Sequence, residues 1–305
     1  MKKKHVLIIG SDGFIGTYLY EKLKNKNYFN VEKISRENYG DIYKNLNWFK
    51  KIKRDTVIYL LAFENDLNLF ETDFSNLTKK YEFFCKCMFI YIKKKKFNPN
   101  IIFSSTVSIY GLTDRKKTNE NSIENIISWY DFTKHLIERY FIFFSNIYDL
   151  NFISLRISNV YGFSKSNQKG RGFINKILKR SIDQGENIVK VYDNGKYFRD
   201  YIYIDDVISA LIGFAKKKNI KEKIFNLCSG KSISIFKVLK IMKLKLSKRN
   251  IVLKILKIKS PKNTHPINKR DFYGNNLRIK KIIGWKPEYN IDRGIELTIR
   301  RYIDK

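Results

Sequence analysis

Tyr130 and Lys134 stand four residues apart in the stretch Tyr130-Asp131-Phe132-Thr133-Lys134. On a helix that spacing puts both side chains on one face. An ammonium beside a phenol stabilises the phenolate and lowers the tyrosine pKa. Tyr130 can then act as acid or base toward a hydroxyl or carbonyl, while Lys134 orients a bound ribose. In a chain with 20 tyrosines and many lysines the pair is a weak signal by itself. Upstream, Ser104-Ser105-Thr106 closes the apolar run that begins at Ile101. Open α/β sheets bind ligands at that end of a strand, so a hydroxyl there can hold a substrate oxygen.

A second constellation is Gly10-Ser11-Asp12-Gly13-Phe14-Ile15-Gly16, spaced G-x-x-G-x-x-G. It follows the apolar run His5 to Ile9 and opens a segment with helical spacing, Phe14 to Leu23. Glycines allow a tight turn and let the backbone approach a pyrophosphate, and the helix N-terminus offers it free amides and partial positive charge. Gly10, Asp12, Gly13, Phe14, Ile15 and Gly16 are therefore candidate contacts of a dinucleotide. The end of the second strand separates NAD from NADP, because a carboxylate there binds ribose hydroxyls and a basic residue accommodates a 2′-phosphate. This strand ends Lys33-Ile34-Ser35-Arg36. Arg36 can make a bidentate phosphate contact, which favours NADP(H). With Arg36 as a surface residue and Glu32 or Glu37 on the ribose, the cofactor is NAD(H).

The elements that must position these residues alternate. Strands are expected at 5–9, 31–34, 56–62, 101–105 and 152–156, with helices at 14–23, 74–94 and 130–145. That order predicts an α/β fold, a Rossmann-type doubly wound parallel sheet. After Gly162 the pattern changes to a polar loop over Lys165 to Gly172, a helix over 173–182, and short strands at 189–192, 201–204 and 225–227. Asp205 or Asp206 is a candidate cap for a helix over 207–216, and a last helix is expected over 291–302. Residues 1–162 read as the NAD(P)-binding domain and 163–305 as a smaller mixed α/β substrate lobe, with elements from about 201–230 rejoining the first sheet.

Composition narrows the class. The chain has 305 residues, 43% apolar and 30% charged, which fits a globular protein. The apolar run after Met1-Lys-Lys-Lys-His is too short for a signal peptide, and no run is long enough to cross a membrane, so a cytoplasmic protein is expected. Cys85, Cys87 and Cys228 do not make a disulfide framework, and His5, His135 and His265 form no metal-ligand spacing, so no metal is expected. The formal charge is +32. Its lysines are scattered, and the runs Lys93–Lys96 and Lys216–Lys218 follow helical segments, where cations suit the helix C-terminus. The charge reads as a solvated surface and not as a nucleic-acid footprint.

With Gly10/Gly13/Gly16, FSSTVSIYG (103–111), Tyr130/Lys134, LRISNVYG (155–162) and RDYIYIDDV (199–207) in order, the chain resembles the extended short-chain dehydrogenase/reductases, the NAD-dependent epimerase/dehydratase group acting on nucleotide sugars. FNLCSG (225–230) and GWKP (284–287) carry the resemblance through nearly the whole chain. It implies Thr106 as the hydroxyl on the reacting sugar oxygen, Tyr130 as acid/base and Lys134 as its partner. It also implies cofactor contacts at Leu61, Ala62 and Asn76, with Asn159, Arg199 and Arg270 on the substrate's diphosphate. Outside that pattern, Arg199 reads as a partner of Asp200.

Departures from the family pattern shape the expected reaction. Val107-Ser108 replace the Asp-Glu pair usual in dehydratases, so dehydration is not expected. Ser35-Arg36 replace the usual acid. The stretch 36–56 is short, so a strand of the usual domain is expected to be missing or abbreviated, and Phe63 stands where a small residue is common. The favoured reaction is reduction of a nucleotide-linked 4-keto-deoxyhexose, with a UDP-glucose-type 4-epimerase as the alternative. A non-catalytic dinucleotide-sensing or nucleic-acid-binding protein on this scaffold is the reading from another class. Phe83 to Ile92 and Ile137 to Phe144 could form a homodimer face or be core.

Overall fold

The computed structural model describes residues 3–63, 73–113, 116–164 and 172–304. The apolar runs become six strands of one sheet: β1 (Lys4–Ile9), β2 (Phe29–Ile34), β3 (Val57–Leu60), β4 (Asn100–Thr106), β6 (Asn151–Ile157) and β10 (Ile224–Leu227). Their order is β10-β6-β4-β3-β1-β2, and every neighbouring pair is parallel. Continuous burial along β1, β3 and β4 explains why these strands are apolar runs rather than alternating patterns. β10, from late in the chain, returns to the sheet beside β6. Between β2 and β3, residues 36–56 add no strand. They form a single turn, α2 (Arg36–Tyr39), and a 3₁₀ segment (Leu46–Lys51) whose Trp48 and Phe49 are buried.

Helices cover both faces. α1 (Phe14–Lys24) and α6 (Ile204–Lys216) pack on one, α3 (Phe74–Lys95) and α4 (Trp129–Ile147) on the other. The inner sides of α3 and α4 bury Phe84, Met88, Phe89, Ile137 and Phe141, each worth about 1.5–3 kcal/mol on burial. Phe83, Ile90 and Phe143 stay 56%, 57% and 58% exposed. The two stretches are thus core along one side and open along the other.

The rest of the chain builds smaller units. β7 (Asn159–Tyr161), β9 (Phe198–Tyr203) and β11 (Ser232–Ser234) make one sheet in the order β11-β9-β7. β8 (Ile188–Tyr192) pairs with β12 (Lys254–Ile258), and β5 (Lys117–Thr118) with β13 (Tyr273–Gly274). Between them lie α5 (Phe173–Asp183), α7 (Ile235–Ser247), α8 (Leu277–Ile283) and α9 (Ile291–Ile303). The loop expected at Lys165 to Gly172 lies outside the described residues up to 171. α6 begins three residues earlier than expected, and Asp206 does not cap it. The Asp206 carboxylate accepts from the amides of Glu288 and Tyr289, at 2.8 and 3.2 Å, and so anchors the C-terminal segment. Among the described residues no helix is long and apolar enough to cross a membrane.

Candidate active site

A cavity of about 300 Å³ opens at the C-terminal ends of β1, β3, β4 and β6. The glycine turn forms one wall. Gly10 has φ +89°, and a Cβ on it would meet the Ala62 backbone at 2.5 Å. A Cβ on Gly16 would lie 2.1 Å from the Gly10 carbonyl. Side chains at either place would push the helix off the strand. α1 starts at Phe14 with Gly13 as N-cap and no side chain capping it. Its first-turn amides therefore have no intrahelical partner and face the cavity. This donor set, beside an uncapped helix end, fits a dinucleotide's pyrophosphate.

The opposite wall carries the reactive groups. Thr106 ends β4, and Tyr130 and Lys134 lie in the first turns of α4, one turn apart. All three line the cavity with Leu61, Phe63 and Asn159. Ser128 caps α4 by accepting from the Asp131 amide at 3.2 Å, which fixes where Tyr130 emerges. Lys134 is buried and donates to the Ser104 carbonyl at 2.6 Å. Its ammonium sits 4.0 Å from the centre of the Phe63 ring and 5.0 Å from that of Phe103. Burial pushes its pKa down to about 7, with Glu138 opposing. Phe63 also stacks on Tyr81 and meets Tyr130 edge-on at 5.6 Å.

Other expected contacts lie elsewhere. Asn76 is exposed and donates to Asp73 at 2.6 Å, and it does not line this cavity. Asp12 is half-buried and accepts from Ser11 at 3.3 Å. Ala62 backs the Gly10 turn rather than lining the cavity. At the end of β2, Ser35 is buried and tied to Asn38, and Arg36 is exposed. Glu32 points to the far end of the strand, where it meets His5 at 2.8 Å and Lys51 at 3.1 Å. Glu37 is exposed in the first turn of α2.

The two arginines differ sharply. Arg199 is buried, and its guanidinium donates to the carbonyls of Phe198, Asn268 and Arg270. It does not pair with Asp200, its neighbour on a strand, whose side chain points to the other face. Asp200 instead accepts from Ser158 and from the amides of Ser229 and Gly230. Arg270 is 8% exposed, yet its Nε and Nη1 have no hydrogen-bond partner among the described residues. Burial and the Arg199 charge push its pKa down to about 10, and Asp131 and Tyr130 oppose this. A buried guanidinium with free donors suits an anion. Asn159 spends its amide on the Asp200 carbonyl at 2.9 Å but keeps its place on the cavity wall.

Two features escaped the sequence. Asp131 is fully buried and accepts from Ser108 and Ser128. Ser108 is in turn 2.7 Å from Thr106. No spacing signal links 106, 108, 128 and 131, because two loops have to fold together first. The fold also brings Glu124, His135 and Glu138 within 4.8 Å of one another. Arg156 and Arg139 already neutralise those carboxylates, so the cluster reads as an ion-pair network.

A glycine turn that fits a dinucleotide, facing a Tyr-Lys pair at the end of a parallel sheet, defines a Rossmann-type dinucleotide-binding site. A model of the NAD dependent epimerase/dehydratase family matches residues 6–228, and the chain belongs to that family. It is 26% identical over 332 residues to a dTDP-4-dehydro-6-deoxyglucose reductase of Escherichia coli, with 98% of each chain covered. It is 28% identical over 260 residues to an ADP-L-glycero-D-manno-heptose-6-epimerase of Brachyspira hyodysenteriae, covering 78% of this chain and 80% of that one. The crystal structure of a UDP-glucose 4-epimerase from Thermotoga maritima superposes with a TM-score of 0.83 at 23% identity, covering 98% and 99% of the two chains.

Proposed function

We propose that this protein is an NADP(H)-dependent reductase of a nucleotide-linked 4-keto-deoxyhexose. The observation that carries the choice is the end of β2. Glu32 is engaged with His5 and Lys51, Ser35 with Asn38, and the exposed Arg36 follows. A basic side chain without a ribose-binding carboxylate suits the 2′-phosphate of NADP(H). A cofactor that exchanges at each turnover suits net reduction. The E. coli and Brachyspira relatives support a nucleotide-linked sugar as substrate.

The bound nicotinamide would supply the hydride. Gly10, Gly13 and the first amides of α1 would hold the pyrophosphate, and Lys134 the adjoining ribose. Tyr130 would give its phenolic proton to the oxygen at C4. Thr106 and Asn159 would hold the sugar, with Arg270 on the diphosphate. Residues 163–305 serve as the sugar-nucleotide lobe, and the exposed Phe83, Ile90 and Phe143 as a homodimer face. The test identifies the cofactor that copurifies, then titrates NADH and NADPH by fluorescence. An empty site preferring NADPH supports the reductase. Retained NAD⁺ overturns it in favour of a 4-epimerase, which would use the same residues.

A further inference from the structure

Phe63 touches both members of the Tyr-Lys pair. Its ring centre lies 4.0 Å from the Lys134 ammonium and 5.6 Å from the centre of the Tyr130 ring, in a T-shaped contact at 84°. It stands just past the end of β3 and lines the cavity. The ring is buried and clamped from behind. Tyr81 of α3, also buried, stacks on it at 5.1 Å and 6°. Tyr43, from the stretch 36–56, packs T-shaped on Tyr81 at 4.8 Å and donates its hydroxyl proton to the Ala62 carbonyl. Backbone and ring at this place are thus held from two other parts of the chain.

A buried ammonium needs partners that favour its charge. Lys134 donates to the Ser104 carbonyl on β4 at 2.6 Å. The acidic group it feels is Glu138, one turn on along α4, and Arg156 holds that carboxylate at 2.5 Å. Two aromatic rings complete its surroundings, Phe63 at 4.0 Å and Phe103 at 5.0 Å. Phe63 is the nearer, and it also meets Tyr130. We propose that Phe63 is a positioning residue of the Tyr130-Lys134 pair: its ring keeps the buried Lys134 ammonium charged and sets the Tyr130 ring one turn away. The inference rests on the reading of Tyr130 and Lys134 as the reacting pair. A ring face attracts a cation most where water is excluded, as it is here. A small side chain at 63 would leave both contacts unmade.

The test follows the titration of Lys134 by nitrogen NMR of isotope-labelled lysine in the purified protein, the resonance being assigned by its loss in Lys134→Met. Phe63→Leu keeps most of the volume and removes the ring. Without the ring face the cation is disfavoured, so Lys134 should lose its proton about one pH unit lower than in the wild type. Pentafluorophenylalanine at position 63 keeps the shape of the ring and reverses its charge distribution. It should lower the titration at least as far, and it decides the matter should Phe63→Leu fail to fold. Phe63→Tyr keeps the ring face and should titrate within about 0.3 pH units of the wild type. The alkaline limb of the NADPH-dependent reduction of dTDP-4-keto-6-deoxyglucose should move down with Lys134. A titration that does not move, or a rate profile that does not follow it, overturns the inference. A wild type that reduces no sugar nucleotide while Lys134 responds as expected removes the reductase reading and leaves the Phe63 contact standing.

Discussion

The parts of the candidate site that are built locally and the parts assembled from distant segments are made in different ways. The first group uses short, contiguous pieces: a strand, the four-residue turn Gly10 to Gly13 and a helix, Lys4 to Lys24. Tyr130 and Lys134 likewise sit one turn apart on a single helix. In the second group, Arg199 in β9 binds carbonyls of residues 268 and 270, some seventy positions away. Local pieces fix their own geometry, whereas distant ones depend on the whole fold. Matching a motif therefore places residues well in the first group and poorly in the second.

The largest expected effect lies among the locally built residues. Tyr130→Phe should lower turnover by about a thousandfold, the scale of a lost general acid, with cofactor affinity within about twofold. Steady-state rates and a fluorescence titration check both parts, and a fully active variant would end the assignment.

Next comes the pair of buried arginines, neither of which lines the cavity. Arg270→Met removes the buried donors that the proposed function puts on the diphosphate and should weaken UDP binding by about a hundredfold, as for truncated buried charge contacts. It should not lower the melting temperature, because an unpaired buried charge goes with it. Arg199→Met leaves buried carbonyls unsatisfied and should cost about 3 kcal/mol of stability. Calorimetric binding and thermal melts on both variants test this. Equal losses of affinity would show that the two arginines act alike.

The same division decides what the sequence made legible. The parallel sheet, its glycine turn and the Tyr130-Lys134 face follow from apolar runs and helical spacing, and the structure places them within a residue or two. The gap in the sheet edge was readable from the short stretch 36–56. What was not readable depends on contacts between distant segments. α7 and α8 carry lysines on their exposed sides, which blurred their apolar faces. Asp206 looked like a helix cap because nothing in the sequence says that residues 288 and 289 return to it. Arg199 and Arg270 looked interchangeable because only the folded chain shows which guanidinium is already satisfied. The Ser108-Asp131 link needed the loop after β4 to meet the start of α4.

A smaller effect tests the cofactor choice. Arg36→Ala should reduce the preference for NADPH over NADH by about tenfold, the scale of one charge-assisted phosphate contact. Parallel titrations read it directly. A preference that does not move would assign the 2′-phosphate to another residue, or the site to NAD.

A last effect is spread over pH and concerns stability, and it sharpens the contrast from within the locally built group. Lys134 is held by the Ser104 carbonyl and two aromatic rings, yet burial lowers its pKa from 10.5 to about 7. Between about pH 7 and 10.5 the unfolded chain therefore binds a proton that the folded chain has released. Stability contributed by this group must rise with pH across that window, by at most about 1.4 kcal/mol per pH unit. Below pH 7 both states are protonated and the slope vanishes. Denaturant unfolding of wild type and Lys134→Met across pH 6 to 10 isolates the term, since other groups titrate in both proteins. The variant should be the more stable at pH 7, with the gap closing as pH rises. A gap that is flat with pH would mean that Lys134 keeps its proton in the fold. The rings and the Ser104 carbonyl would then outweigh its burial, and Lys134 would meet a ribose as a full cation even without Tyr130 ionised.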